Sequence, residues 1–169
     1  MDDLEWLAAR MGKTCLGGQP SFALQADAGV VVEPTHVAQA RSAGLRVICV
    51  VGWPTGRHHS VIKAAEARLA KESGASEVWL SVDDHADLNT ILADVIAVQQ
   101  AVPGPTCFGV IARTPSAAQA AAMAGADLIA VQAGDPVPNS PLPVSVYGME
   151  EGLDGVVEAL EAGADRVFV

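Results

Sequence analysis

The feature that most constrains this chain is a junction that recurs along it, where an alanine-rich stretch meets glycine and then a β-branched run. Glycine supplies the left-handed residue that ends a helix at low steric cost, and the chain can then turn directly into a strand. Several such junctions in one chain indicate βα repeats and a parallel sheet. The clear copies begin at Ala43, Gly74, Gly125 and Gly163, and a weaker copy spans residues 27–31.

The strands predicted at these junctions are short, continuous apolar runs, which suit strands buried on both faces. They cover residues 30–32, 47–51, 78–82, 108–111, 128–131, 144–146 and 167–169, with a possible stub at 14–16. Helices are predicted at residues 34–43, 57–73, 88–102, 115–124 and 150–162. Residues 133–143 leave no room for a crossover helix of about ten residues, and no helix follows Val169.

This order of elements predicts one α/β domain over residues 1–169. We expect a reduced, TIM-barrel-like (β/α) fold of seven to eight mostly parallel strands, with some helices missing. Such barrels typically need about 250 residues, and this chain has 169. An open, doubly wound sheet is the alternative.

Composition excludes several classes of partner and location. The net charge of −10 repels phosphate backbones, so no nucleic acid partner is expected. The acidic start at Asp2 argues against a signal peptide. The lack of a long apolar run argues against a membrane span. Cys15, Cys49 and Cys107 are odd in number and far apart. They favour a reducing, cytoplasmic location over a disulfide framework.

One stretch of the sequence, residues 50–82, resembles the deoxyribose-phosphate aldolase family. It contains VGWPTG at 51–56, KAAEA at 63–67 and GASE at 74–77. The segments VVEPTHV at 31–37, GADLI at 125–129 and residues 148–166 are similar to further parts of that family. The resemblance covers about residues 28–169. It implies a TIM barrel that cleaves a carbon–carbon bond of a sugar phosphate through a lysine Schiff base, without a cofactor.

The groups that the resemblance implies for catalysis are not found at the matching positions. The Schiff-base lysine falls on Ala130 and the acid/base aspartate falls on Trp79, while a second lysine falls near residues 144 and 145. The chain has three lysines, at positions 13, 63 and 71, and none of them lies on a predicted strand end at the barrel mouth.

We therefore expect a protein that has lost the Schiff-base lysines, lacks aldolase activity and acts as a binding or assembly subunit. The resemblance implies a small phosphorylated metabolite as its ligand. Strands left uncovered by missing helices would expose apolar surface, which predicts a homo- or hetero-oligomer. The alternative is an active carbon–carbon lyase on a small sugar phosphate with a rebuilt or misaligned site. Whether the chain is an enzyme is therefore open at this point.

Candidate ligand-binding residues lie in the loops that follow the strands, where parallel barrels carry their function. They are Arg57, Asp83, Asp84, His85, Arg113, Gly134 and Gly148. Arg113 directly follows a strand, so its guanidinium could reach an anion at the mouth.

Each of these residues also has a structural interpretation. The two arginines could form ion pairs with Asp83 or Asp135, and Asp83 and Asp84 fit the N-cap of the next helix. The adjacent histidines at 58 and 59 lack metal-ligand spacing, so no metal is expected.

Overall fold

In a computed structural model of the chain, which describes residues 2–169, eight parallel strands close into one barrel in sequence order. The strands are β1 Met11–Cys15, β2 Val30–Val32, β3 Val47–Val51, β4 Glu77–Ser81, β5 Cys107–Ile111, β6 Leu128–Gln132, β7 Val144–Tyr147 and β8 Arg166–Phe168. Strand β1 pairs with both β2 and β8, which closes the barrel. The predicted reduced (β/α) barrel is confirmed, and the open-sheet alternative is wrong.

Helices follow five of the eight strands within residues 2–169. A short 3₁₀ turn, Pro34–His36, leads into α2 Val37–Ser42, and the other helices are α1 Asp3–Ala8, α3 Ser60–Glu72, α4 Leu88–Gln100, α5 Pro115–Ala124 and α6 Leu153–Glu161. Helix α1 precedes the barrel and was not predicted, although Asp2 and Glu5 form a capping box at its start. No helix among the described residues is long and apolar enough to cross a membrane.

The strands are buried on both faces, which explains their continuous apolar runs. Side chains such as Val51 and Leu80 face the helices, while Ile48 and Val50 face the barrel interior. After β1, the extended segment at residues 16–29 takes the place of a helix, and its Phe22 is buried against the outer core. The wall is therefore covered there without a helix.

The wall between β6 and α6 remains open, where the chain lacks a crossover helix. We call this place the open groove; it encloses about 460 Å³, with Val131, Val144 and Ala159 in its lining. Val137 at its edge is 57% exposed. The strand itself is not exposed there, since Val131 is 1% exposed, so the exposed apolar surface is limited to the loop at the edge of the groove.

The barrel interior is filled by Trp79 of β4, which is fully buried and packs edge-on against Phe168 with ring centroids 5.4 Å apart. Two glycines make room for these rings. A Cβ atom at Gly109 would lie 2.8 Å from Cδ1 of Trp79, and one at Gly12 would lie 2.3 Å from Cδ1 of Phe168. A Cβ atom at either position would clash with the ring beside it. The two large aromatic residues are therefore packed against glycines across the interior.

Candidate functional site

The carboxyl ends of the strands form the mouth of the barrel, and Arg113 is the cation that enters it after β5. Its Nη1 donates to Oγ of Ser81 at 3.3 Å and lies 3.6 Å from Oδ2 of Asp84. Ser81 in turn donates its hydroxyl to the carbonyl of Pro54 at 3.1 Å. The Arg113 side chain is 20% exposed, so it is accessible from the mouth, while Ser81 and Asp84 fix its position.

Beside Arg113 lie two buried donors, the phenol of Tyr147 and the indole N–H of Trp53. Among the residues that the structure describes, neither the Tyr147 hydroxyl nor Nε1 of Trp53 has a hydrogen-bond partner. Burial raises the pKa of Tyr147, and the adjacent Arg113 and Trp53 only partly oppose this rise. The phenol is therefore protonated near neutral pH and can donate a hydrogen bond.

A second polar site lies outside the barrel, between the starts of α3 and α4; we call it the outer pocket. It encloses about 370 Å³, and Arg57, Lys63 and Asp94 are among its lining residues. The Lys63 ammonium is buried and donates to Oδ2 of Asp94 at 2.6 Å and to the Ser81 carbonyl at 3.0 Å. The amine is therefore held as one half of an ion pair.

The loops after β6 and β7 form a third site, the late-loop cleft, of about 730 Å³. Gly134 and Gly148 lie in it with φ angles of +91° and +70°, which glycine adopts without strain. Its other lining residues include Glu150, Glu151 and Asp154. Glu151 is paired with Lys13, but Glu150 and Asp154 leave this cleft negative, which disfavours a phosphate group.

The predicted ligand-binding residues are thus divided among three places rather than gathered at one. Arg113 and Asp84 lie at the mouth, Arg57 and Asp83 line the outer pocket, and the two glycines lie in the late-loop cleft. His85 is exposed beside the outer pocket. Their role in binding stays a prediction.

The structural interpretations of these residues are partly wrong. Arg113 contacts Asp84, in the loop that follows the neighbouring strand β4, and not Asp83 or Asp135. Arg57 does reach Asp83, at 3.4 Å. The N-cap of α4 is Asp87, whose carboxylate accepts from the Thr90 N–H at 2.8 Å, so the N-cap interpretation of Asp83 and Asp84 is wrong.

Asp83 instead turns the loop that follows β4. Its Oδ1 accepts from the backbone N–H of His85 at 3.0 Å, and this hydrogen bond, together with Arg57, lowers the pKa of Asp83. Within residues 2–169 no group of three or more His, Cys, Asp or Glu side chains is placed to hold a metal ion.

Sequence reasoning did not single out the buried donors at the mouth. Tyr147 ends β7, two residues after Ser145, and residues two apart share a face of a strand. The alternation of side chains along β7 could therefore have predicted that the Tyr147 phenol faces the barrel interior. Nothing local indicated that Trp53, which lies on a loop after β3, would lie beside it.

Curated relatives place the chain in a family. It is 33% identical over 150 residues to the deoxyribose-phosphate aldolase of Nocardia farcinica, a match that covers 76% of this chain and 67% of that protein. The chain belongs to the deoxyribose-phosphate aldolase family. It is also 35% identical over 128 residues to the deoxyribose-phosphate aldolase of Corynebacterium glutamicum, covering 66% of this chain but only 58% of the relative. No protein-family model matches the chain.

Solved structures agree with this family on the fold. The aldolase QR15 superposes with a TM-score of 0.80 at 22% identity, covering 99% of this chain and 91% of that one. The tetrameric deoxyribose phosphate aldolase of Aeropyrum pernix gives 0.78 at 20% identity, covering 96% and 86%. A phosphoenolpyruvate phosphomutase of Streptomyces platensis, at 0.70 and 17% identity, covers 98% and 78%. At these identities the likeness establishes the barrel fold alone.

Proposed function

We propose that this member of the deoxyribose-phosphate aldolase family does not perform Schiff-base chemistry and acts as a binding or assembly subunit for a small phosphorylated metabolite. The observation that carries the proposal is the filled interior of the barrel. Trp79 and Ala130, at the positions where the resemblance implies the aspartate and the lysine, are both fully buried on the inner face. An interior packed in this way offers a substrate neither space nor a reacting amine.

The positions of the lysines support the same proposal. Lys71 donates to the carbonyl of Pro103 at the surface, and Lys13 forms an ion pair with Glu151 of the late-loop cleft. Lys63 is buried outside the barrel and is paired with Asp94. Each of the three amines is therefore held by an oxygen of the protein away from the barrel interior, where a Schiff base would have to form.

One observation favours the alternative, a lyase with a misaligned lysine. The Lys63 ammonium and the Asp94 carboxylate lie in the wall of the outer pocket, together with His58 and His59. A ligand that entered this pocket and displaced Asp94 would meet an amine with candidate acid/base groups around it. The two functions differ in whether any lysine becomes covalently modified.

Borohydride trapping with 2-deoxyribose 5-phosphate, read by intact-protein mass, decides between them. We expect no added mass on the full chain under conditions where a catalytically active aldolase of this family is fully labelled. An adduct mapped to Lys63, and absent in Lys63→Met, would establish the alternative. An adduct at either of the other two lysines would also overturn the proposal.

We further propose that the chain forms an oligomer through the open groove beside α6. The apolar side chain of Val137 supports this, since it lines the groove and is 57% exposed. The Aeropyrum pernix relative is described as a tetramer. Light scattering on the purified chain is expected to give at least a dimer mass, and Val137→Glu, at the edge of the groove, is expected to shift it toward the monomer. A stable monomer at high concentration would contradict this assembly.

We also propose a cytoplasmic location and a single functional domain. The three cysteines are all free in the structure, and the sulfurs belong to separate strands, β1, β3 and β5. Burial raises the pKa of Cys107 to about 12. Thiols of this kind behave as small apolar groups, which suits a reducing compartment. Cell fractionation with an antibody against the chain tests the location.

A further inference from the structure

We propose that the mouth of the barrel seats the oxyanion of a small molecule, a carboxylate or a phosphate monoester, on Arg113, Tyr147 and Trp53. This inference rests on the proposed function, because it treats the mouth as a place that binds and does not react. It adds the ligand class and the donor atoms that would recognise it.

The Tyr147 hydroxyl and the Trp53 indole N–H are two neighbouring donors that are buried without a partner among the described residues. A buried donor without a partner costs free energy, and such groups in a folded protein call for a ligand or another explanation. The Tyr147 residue is only 2% exposed, yet neither its hydroxyl nor Nε1 of Trp53 has a partner among the described residues. The Trp53 indole and Arg113 lie close to the phenol oxygen and act on it, but the phenol O–H itself has no acceptor within residues 2–169.

Arg113 places a positive charge beside these donors. Arg113 adjoins the phenol and uses one short contact, to the Ser81 hydroxyl, so most of its five N–H donors are unused. Its nearest carboxylate oxygen, Oδ2 of Asp84, is 3.6 Å away, which is longer than a hydrogen bond. An oxyanion accepts more strongly from a guanidinium than a neutral oxygen does.

The outer pocket and the late-loop cleft suit an anion less well than the mouth does. In the outer pocket Lys63 is paired with Asp94 at 2.6 Å and Arg57 with Asp83 at 3.4 Å, whereas the carboxylate nearest to Arg113 lies 3.6 Å away. The late-loop cleft is lined by carboxylates. The mouth therefore combines the cation with the longest of these ion-pair contacts and two neutral donors, a combination that neither of the other sites has.

Access to the buried donors requires a local movement. Both donor atoms are shielded from solvent in the structure, whereas the Arg113 side chain is partly exposed. A ligand oxyanion that draws the guanidinium from Ser81 would uncover the phenol. Binding is therefore expected to depend on Arg113 and Tyr147 together.

The test is an NMR titration of the full, ¹⁵N-labelled chain, in which the three tryptophans give three indole N–H signals. Trp53→Phe assigns the relevant signal. The probes are L-lactate as a three-carbon carboxylate and sn-glycerol 3-phosphate as a three-carbon phosphate ester, with glycerol as the uncharged control. We expect the Trp53 signal to shift saturably with at least one probe at a Kd below about 10 mM.

Two variants and a matched control test the donors. Arg113→Gln and Tyr147→Phe are each expected to weaken binding by about fivefold or more. Arg68→Gln, on the exposed outer face of α3, is the control and is expected to bind as the wild type does. Tyr147→Phe keeps the ring and removes only an unpaired hydroxyl, so its thermal midpoint should be unchanged or higher.

The outcomes separate this inference from the proposed function. A shift with lactate alone identifies a carboxylate, a shift with glycerol phosphate alone identifies a phosphate ester, and shifts with both support the shared chemistry. No saturable shift, an equal shift with glycerol, or wild-type binding by both variants would overturn the inference. Successful borohydride trapping would instead overturn the proposed function, whatever the titration shows.

Discussion

At the amino-terminal end of the barrel, Glu77 of β4 and Arg166 of β8 face each other across the interior and form a two-pronged ion pair. Nη1 and Nη2 of Arg166 donate to the two carboxylate oxygens of Glu77 at 2.9 and 2.6 Å. Arg46 and the indole of Trp79 donate to the same carboxylate, at 3.3 and 2.8 Å. This cluster closes the end of the barrel opposite the mouth and anchors the tryptophan that fills the interior.

Glu77→Gln is expected to lower the free energy of unfolding by about 3 kcal/mol, because it leaves the mostly buried Arg166 without its counter-charge. Urea unfolding followed by circular dichroism measures the loss. Replacing both partners, as in Glu77→Gln with Arg166→Met, is expected to recover part of it. Glu151→Gln, which removes an exposed partner of Lys13, is the control and should leave stability unchanged. Equal effects of Glu77→Gln and Glu151→Gln would contradict the account.

The same carboxylate gives stability a dependence on pH. Burial would raise the pKa of Glu77, but its hydrogen bonds and ion pairs with Arg166 outweigh burial and leave that pKa lowered. Because this pKa is lower in the folded state than in the unfolded state, the ionised carboxylate stabilises the fold. The stabilisation is complete above the unfolded pKa of about 4.3. This contribution is lost as the pH falls through the folded pKa. Thermal midpoints of the wild type and Glu77→Gln should therefore converge below about pH 4, and a constant gap down to pH 3 would refute this.

Lys63 is expected to be structural rather than reactive. Lys63→Met leaves the Asp94 carboxylate facing Ser60 without its ammonium partner and should cost about 3 kcal/mol of unfolding free energy. Lys71→Met, in the same helix but near the surface, should cost about 1 kcal/mol or less. Chemical denaturation of the two variants in parallel makes the comparison. If Lys63→Met proved as stable as the wild type, the pair would not be a structural one, and a functional role for the amine would gain support.

Restoring a lysine at the position of Ala130 is expected to harm the fold. Ala130 is fully buried on the inner face near Trp79 and Ile111, so a new ammonium would have neither space nor a counter-charge. Ala130→Lys should therefore lose about 3 kcal/mol or more of unfolding free energy. Ala93→Lys, on the exposed side of α4, should change it by about 0.5 kcal/mol or less. Near-wild-type stability of Ala130→Lys would show that the interior has room for a reacting amine.

Much of the barrel could be predicted from local patterns. The glycine junctions and apolar runs located seven strands, because β-branched residues and helix-ending glycines act over a few residues. Strand β1, with the sequence MGKTC, was hard to recognise because glycine has a low strand propensity. Gly12 stands there because the Phe168 ring leaves no room for a side chain. The short helix α1 was not predicted, although Asp2 and Glu5 have the spacing of a capping box.

The site depended on contacts between residues far apart in the chain. The sequence by itself determined that Arg113 follows a strand, that lysine is absent at position 130, and that a tryptophan stands at position 79. Only the closed barrel decided that Arg113 meets Asp84, that Tyr147 lies beside Trp53, and that Lys63 is buried against Asp94. Periodicity assigns a side chain to one face of its own strand or helix. Which groups meet across the interior is set by how many strands close the barrel and in what register, and local sequence does not encode that.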